Sequence, residues 1–119
     1  MKEGWEGDMT LIVDINHWLD EDGNLPTENP RLLPHALRVA RFIEYGGPLN
    51  QLEGRETLIP CRRRPERKRC PGFIWVVKQN DNRIQAHCPI CHEVEAVISG
   101  WEGTDWAEGP MEPVPMTDD

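Results

Sequence analysis

The chain has 119 residues, with 21 acidic and 13 basic side chains and a net charge of −8. That length fits one domain, and the negative balance disfavours a general affinity for polyanions over most of the surface. No apolar run reaches the roughly 18 residues of a transmembrane helix, so no membrane partner is expected.

Residues 1–9 are rich in glycine and acid and are predicted to be flexible. They contain no apolar leader core, so a reducing, cytoplasmic location is expected. Thr10–Ile15 is a short β-branched run and reads as a strand. The acidic stretch from Asp20 to Asn24 lacks the sixth-position glycine and twelfth-position glutamate of a calcium loop, and is predicted to be a turn around Gly23. Asn29-Pro30 and Pro34 are helix-start signals. Leu33, Ala36, Leu37, Ala40 and Ile43 then recur at three- and four-residue steps, with Arg31, Arg38, Arg41 and Glu44 largely on the other face. An amphipathic helix is predicted over residues 30–45, ended by Gly46-Gly47-Pro48.

Beyond a loop, Glu56–Ile59 is an extended approach to Cys61, and Phe73–Lys78 is a strong strand signal. Gln79 to Asn82 forms a polar turn into a second strand, Arg83–His87, and Val94–Ser99 is a third. Trp101 and Trp106 lie in a glycine-flanked loop and are predicted to fold back over the sheet. Residues 107–119 hold three prolines and four acids, and a disordered acidic tail is expected there.

Cys61, Cys70, Cys88 and Cys91 follow the pattern C-x₈-C-x₁₇-C-x₂-C. Cys88-Pro89-Ile90-Cys91 is a knuckle whose tight turn aims two thiolates at one ion. Four thiolates suit Zn²⁺, which accepts sulfur in a closed tetrahedron and, in that arrangement, is structural rather than catalytic. A small domain gains from such a staple, since zinc binding contributes on the order of 10 kcal/mol to folding. Two disulfides are the competing assignment, disfavoured by the knuckle and the reducing location. His87 and His92 flank the second knuckle; alternation turns His87 away from Cys88, so the two are expected on the sheet face or beside the metal rather than on it.

The expected fold is α+β: a small antiparallel zinc-ribbon sheet, residues 59–106, within one domain over residues 10–106 that also holds the N-terminal strand and one amphipathic helix. The order Cys61-Arg62-Arg63-Arg64-Pro65, Cys70-Pro71-Gly72, Cys88-Pro89-Ile90-Cys91 and Ile98-Ser99-Gly100-Trp101-Glu102-Gly103-Thr104 resembles a group of small uncharacterised bacterial zinc-ribbon proteins. The resemblance implies the ribbon and its metal, and no activity.

Charge is unevenly placed. Residues 61–70 carry a local balance of +5 from Arg62, Arg63, Arg64, Arg67, Lys68 and Arg69 against Glu66, and residues 93–119 hold eight acids and no lysine or arginine. Six cations on one small loop repel one another unless an anion is near. Three partners fit: nucleic-acid phosphates with stacking on Trp75, an acidic protein, or the chain's own carboxylates, including the tail. Catalytic constellations are lacking: the one serine, Ser99, has no nucleophile elbow, no glycine-rich phosphate loop occurs, and no small-molecule substrate is evident. The expectation is a noncatalytic zinc-binding module that contacts nucleic acid through residues 62–69, with a protein-interaction adaptor as the alternative.

Overall fold

Leu11, Val13, Ile59, Ile74, Val76, Ile84, Ala86, Ala96 and Ile98 are buried and alternate with more exposed neighbours, the period that gives a sheet one covered face. The computed structural model describes residues 4–6 and 10–109. Its strands are β1 (Gly4–Glu6), β2 (Thr10–Asp14), β3 (Gly54–Pro60), β4 (Phe73–Lys78), β5 (Ile84–His87) and β6 (Val94–Ser99). They form one mixed sheet in the order β1-β2-β6-β5-β4-β3. The run from β3 to β6 is an antiparallel meander, β2 lies parallel to β6, and β1 pairs antiparallel with β2.

This corrects the expectation of a small antiparallel ribbon beside a separate strand. The sheet is six-stranded and mixed, and the N-terminal strand is part of it. The physical reason is the edge of β6. Ala96 and Ile98 need a neighbour that continues the buried face, and Leu11 and Val13 of β2 supply it in register with Ala96 and Ile98. Gly4–Glu6, expected from the sequence to be flexible, form β1; residues 1–3 and 7–9 lie outside the described residues.

One α-helix occurs among the described residues, α1 (Leu33–Gly46), which packs across β3, β4 and β5. Val39, Phe42 and Ile43 fill the space beneath it. It starts three residues later than predicted. Asn29 and Pro30 instead make a preceding turn, in which the Asn29 side chain accepts from the Leu32 N–H at 3.1 Å and the Asn29 carbonyl accepts from the Leu33 N–H at 2.9 Å. The Asp20 turn is as predicted: Asp20 Oδ1 accepts from the N–H groups of Asp22 and Asn24, both at 2.9 Å, and Gly23 has φ +80°.

Trp101 folds back and is buried, donating from Nε1 to the Asn82 carbonyl at 2.8 Å, and Trp106 packs partly buried against the core. The Lys78 ammonium sits 4.5 Å above the Trp101 ring centre and donates to the Gly47 carbonyl at 2.6 Å, tying the sheet to the end of α1. Of the segment expected to be disordered, Ala107 and Gly109 are packed; a methyl on Gly47 would overlap the Ala107 carbonyl. Residues 110–119 lie outside the described residues.

Two irregularities in the sheet lie on the strands that feed the cysteines. The β3–β4 register shifts between Glu56 and Pro60, just before Cys61, and the β5–β6 register shifts between Ala86 and His87, just before Cys88. Bulges bend and re-aim a strand end. At the first, Thr57 is buried and its hydroxyl repairs the ladder, donating to the Ile74 carbonyl at 2.6 Å and accepting from the Ile59 N–H at 3.1 Å. At the second, Glu95 is the extra residue of β6, between Val94 and Ala96.

Candidate metal centre

The sulfur atoms of Cys61, Cys70, Cys88 and Cys91 all lie within 4.8 Å of one another, and no disulfide joins them. Cys61 and Cys91 are 3.8 Å apart, and Cys70 and Cys88 are 3.6 Å apart. A tetrahedron with metal–sulfur bonds of about 2.3 Å has sulfur–sulfur edges of about 3.8 Å. The four side chains therefore form a cage that could hold one metal ion. Three are buried and Cys91 is half-buried.

The two halves of the cage share a local design. The Ile90 N–H donates to Cys88 Sγ at 3.4 Å, as the second residue after the ligand, and the Arg63 N–H donates to Cys61 Sγ at the same 3.4 Å from the same offset. The Arg63 carbonyl then accepts from the Cys70 N–H at 3.0 Å. Arg63 thus touches both ligands of its half through its backbone. With residues 64–69 set aside, Cys61-Arg62-Arg63 meets Cys70 as a C-x₂-C knuckle would. The uneven C-x₈-C spacing is a second knuckle carrying a six-residue loop.

That loop turns through two consecutive left-handed residues, Glu66 (φ 54°) and Arg67 (φ 71°), closed by the Arg67 N–H donating to the Arg64 carbonyl at 2.9 Å. Its return is set by Gly72. A methyl there would come within 2.7 Å of both Cys88 Sγ and the Ile90 side chain, so the first knuckle packs on the second only with glycine at this position. The Cys61 N–H donates to the Gly72 carbonyl at 2.9 Å, closing the base of the loop.

Acidity follows from the surroundings. As thiols, Cys61 is pushed up to about 12 by burial, reinforced by the Cys91 and Cys88 thiols and offset only in part by the Arg63 N–H. Burial likewise raises Cys91. At Cys88 burial acts in the same direction, but the N–H groups of Cys91 and Ile90 and the Cys70 thiol outweigh it, and the net shift is downward. Cys88 therefore gives up its proton more readily than Cys61 or Cys91. A cation brought into the cage must displace protons, which makes its binding stronger as pH rises.

Neither histidine joins the cage. His87 stands on the uncovered face of the sheet opposite Trp75, half-buried, with its pKa lowered by burial. His92 is exposed at φ 65°, the left-handed position after the knuckle.

The basic residues divide into two groups. Arg62 reaches Glu95 at 3.9 Å, and Arg63 reaches Glu93 at 3.7 Å and the Val94 carbonyl at 3.5 Å. These two lean on the chain's own carboxylates, which belong to the β5–β6 connection and β6 rather than to the expected tail. Arg64, Arg67, Lys68 and Arg69 are exposed, and none has a carboxylate within ion-pair distance among the described residues.

The brace behind the cage is not foreseen in the sequence. Arg38 of α1 holds Glu95 in a bidentate pair, with Nε 2.5 Å from Oε2 and Nη2 2.9 Å from Oε1, and Nη2 also donates to the Pro60 carbonyl at 2.9 Å. Its guanidinium lies 5.3 Å from the Phe42 ring centre. Arg38 is legible only as a cation on the polar side of a helix. Its role depends on the bulge that turns Glu95 toward α1, and no residue pattern announces that bulge.

Comparison with family models, curated proteins and solved structures finds no match. Among the described residues, no helix is long and apolar enough to cross a membrane.

Proposed function

We propose that Cys61, Cys70, Cys88 and Cys91 hold one structural zinc ion, and that the domain is a noncatalytic module that binds nucleic acid through the loop it staples. The observation that carries this is the loop's place. Residues 64–69 project from a knuckle whose two ends are tied to the same cage, so four exposed cations are presented on a closed, anchored base. Zinc bound by four thiolates has a filled coordination sphere and supplies folding energy and rigidity rather than Lewis acidity. Fixing the loop at its base reduces the entropy lost when its side chains engage phosphates. Arg64, Arg67, Lys68 and Arg69 are the contacts, while Arg62 and Arg63 orient the base through Glu95 and Glu93.

Gel-shift titration against salt tests the loop. Binding through several phosphates weakens steeply as salt rises, and glutamine at Arg67, Lys68 and Arg69 together should flatten that dependence by about 2 in log–log slope, given roughly 0.7 per contact with a single strand. An unchanged slope rejects the loop as the contact. A second reading, docking on an acidic protein, draws on the exposed apolar side chains Leu58 and Ile90, three residues before Cys61 and one before Cys91. It predicts no nucleic-acid shift at any salt concentration.

A further inference from the structure

We propose that the ligand is a single-stranded nucleic acid whose neighbouring bases are unstacked from each other and laid on Phe73 and Trp75. This rests on the reading of the loop as a phosphate contact and names the form of polymer it takes. Phe73 and Trp75 of β4 are 42% and 36% exposed, the large aromatic rings of a strand that lies between β3 and β5. They share the face of the sheet opposite α1, since the residue between them, Ile74, is buried on the helix side. Leu58, 74% exposed, extends that face on the edge strand β3, between the register pairs Glu56–Trp75 and Pro60–Phe73.

The chain path joins this face to the cations. Arg69 precedes Cys70, Gly72 packs the turn against the second knuckle, and Phe73 begins β4 immediately afterwards. Lys68 and Arg69 lie only five and four residues before Phe73, and on this reading phosphates held there hand the adjoining bases to its ring. Spacing decides the form. Alternate residues of an antiparallel strand stand about 6.8 Å apart. Stacked bases rise about 3.4 Å per nucleotide. Two successive bases that each lie on one of these rings must leave each other's stack, which a duplex forbids and a single strand permits. Ring stacking is tolerant of sequence because every base has a flat face. Glu56, in register with Trp75 on the same face, repels phosphates from β3 and keeps the sugar–phosphate chain on the loop side.

The test uses the full-length zinc-loaded protein and fluorescence anisotropy of a labelled mixed-sequence DNA strand of about 12 nucleotides, within the range covered by single-strand binding sites, alone or annealed to its complement. The single strand should bind at least tenfold more tightly than the duplex. Phe73→Leu and Trp75→Leu should each weaken it about tenfold, and Trp75→Phe should recover most of the loss. The salt slope should be unchanged in all three, because no phosphate contact is removed. Zinc content confirms that each variant retains its cage. Equal affinity for strand and duplex, or wild-type affinity in both leucine variants, overturns the stacking platform and leaves the loop reading in place. Absence of salt-dependent binding to either DNA and to an RNA strand of the same sequence overturns both readings.

Discussion

Arg38 and Glu95 join α1 to the residue that the β5–β6 bulge turns out of the ladder, with side chains 11% and 16% exposed. The same guanidinium holds the Pro60 carbonyl, so one side chain braces the approach to Cys61 and the exit from Cys91. Removing one member of a largely buried ion pair typically costs about 3 kcal/mol, whereas replacing both by apolar groups of like volume is close to neutral. Arg38→Met should therefore lower stability by about 3 kcal/mol in chemical denaturation. Adding Glu95→Leu to it should restore most of that loss. Additive losses in the double variant would deny the pairing.

Gly72 makes a sharper claim about the cage. A methyl there meets Cys88 Sγ and Ile90 at 2.7 Å, and both belong to the opposite knuckle. Gly72→Ala should destabilise the protein by about 2 kcal/mol through overpacking and reduce metal affinity at least tenfold in chelator competition. Gly103 serves as the control, because a methyl added there would meet nothing within 4 Å; Gly103→Ala should leave affinity unchanged.

If the first ligand pair is a knuckle with a loop grafted into it, the loop is dispensable to the cage. Deleting residues 64–69 joins Arg63 directly to Cys70, two groups already linked at 3.0 Å. The shortened protein should keep its metal and melt within a few degrees of the parent, because exposed loops contribute little to stability. Loss of the metal on deletion would mean that the loop itself shapes the site.

Much of this is legible in the residues. Phe73–Lys78 and Val94–Ser99 are predicted with their observed limits because β-branched runs between polar turns have few other conformations open to them. The four cysteines are legible as one site from their C-x₈-C-x₁₇-C-x₂-C order and its one knuckle. What alternation does not encode is a strand's neighbour. Leu11 and Val13 promise a half-buried strand, but the parallel seat beside β6 depends on where a chain roughly 80 residues later returns. The start of α1 is misplaced because two prolines compete, and the asparagine turn takes the first. Glu95 is unreadable as a brace because its aim is set by one unpaired position in a ladder.

A pH dependence follows from Glu44 on α1. It is buried, and burial raises its pKa more than nearby Arg41, at 3.8 Å, lowers it. A carboxyl raised on folding favours the folded state below its ordinary value of 4.5, and that advantage is lost as pH rises through the shifted value. Glu44→Gln removes the charge and keeps the shape. Its melting temperature should exceed the parent's by a few degrees at neutral pH, and the gain should vanish in acid below the ordinary carboxylate range. A gain that persists unchanged in acid would show that burial of the charge is not its cause.

The central claim is that sulfur from both knuckles closes on one ion, and elemental analysis of the purified, reduced protein tests it most directly. One zinc per chain is the expected result, with Cys88→Ser losing most of the metal and much of the fold's thermal stability, since that serine removes one of the four sulfur ligands of the cage. A protein that purifies without metal, takes up none when zinc is supplied, and melts at the same temperature with or without a chelator would contradict it.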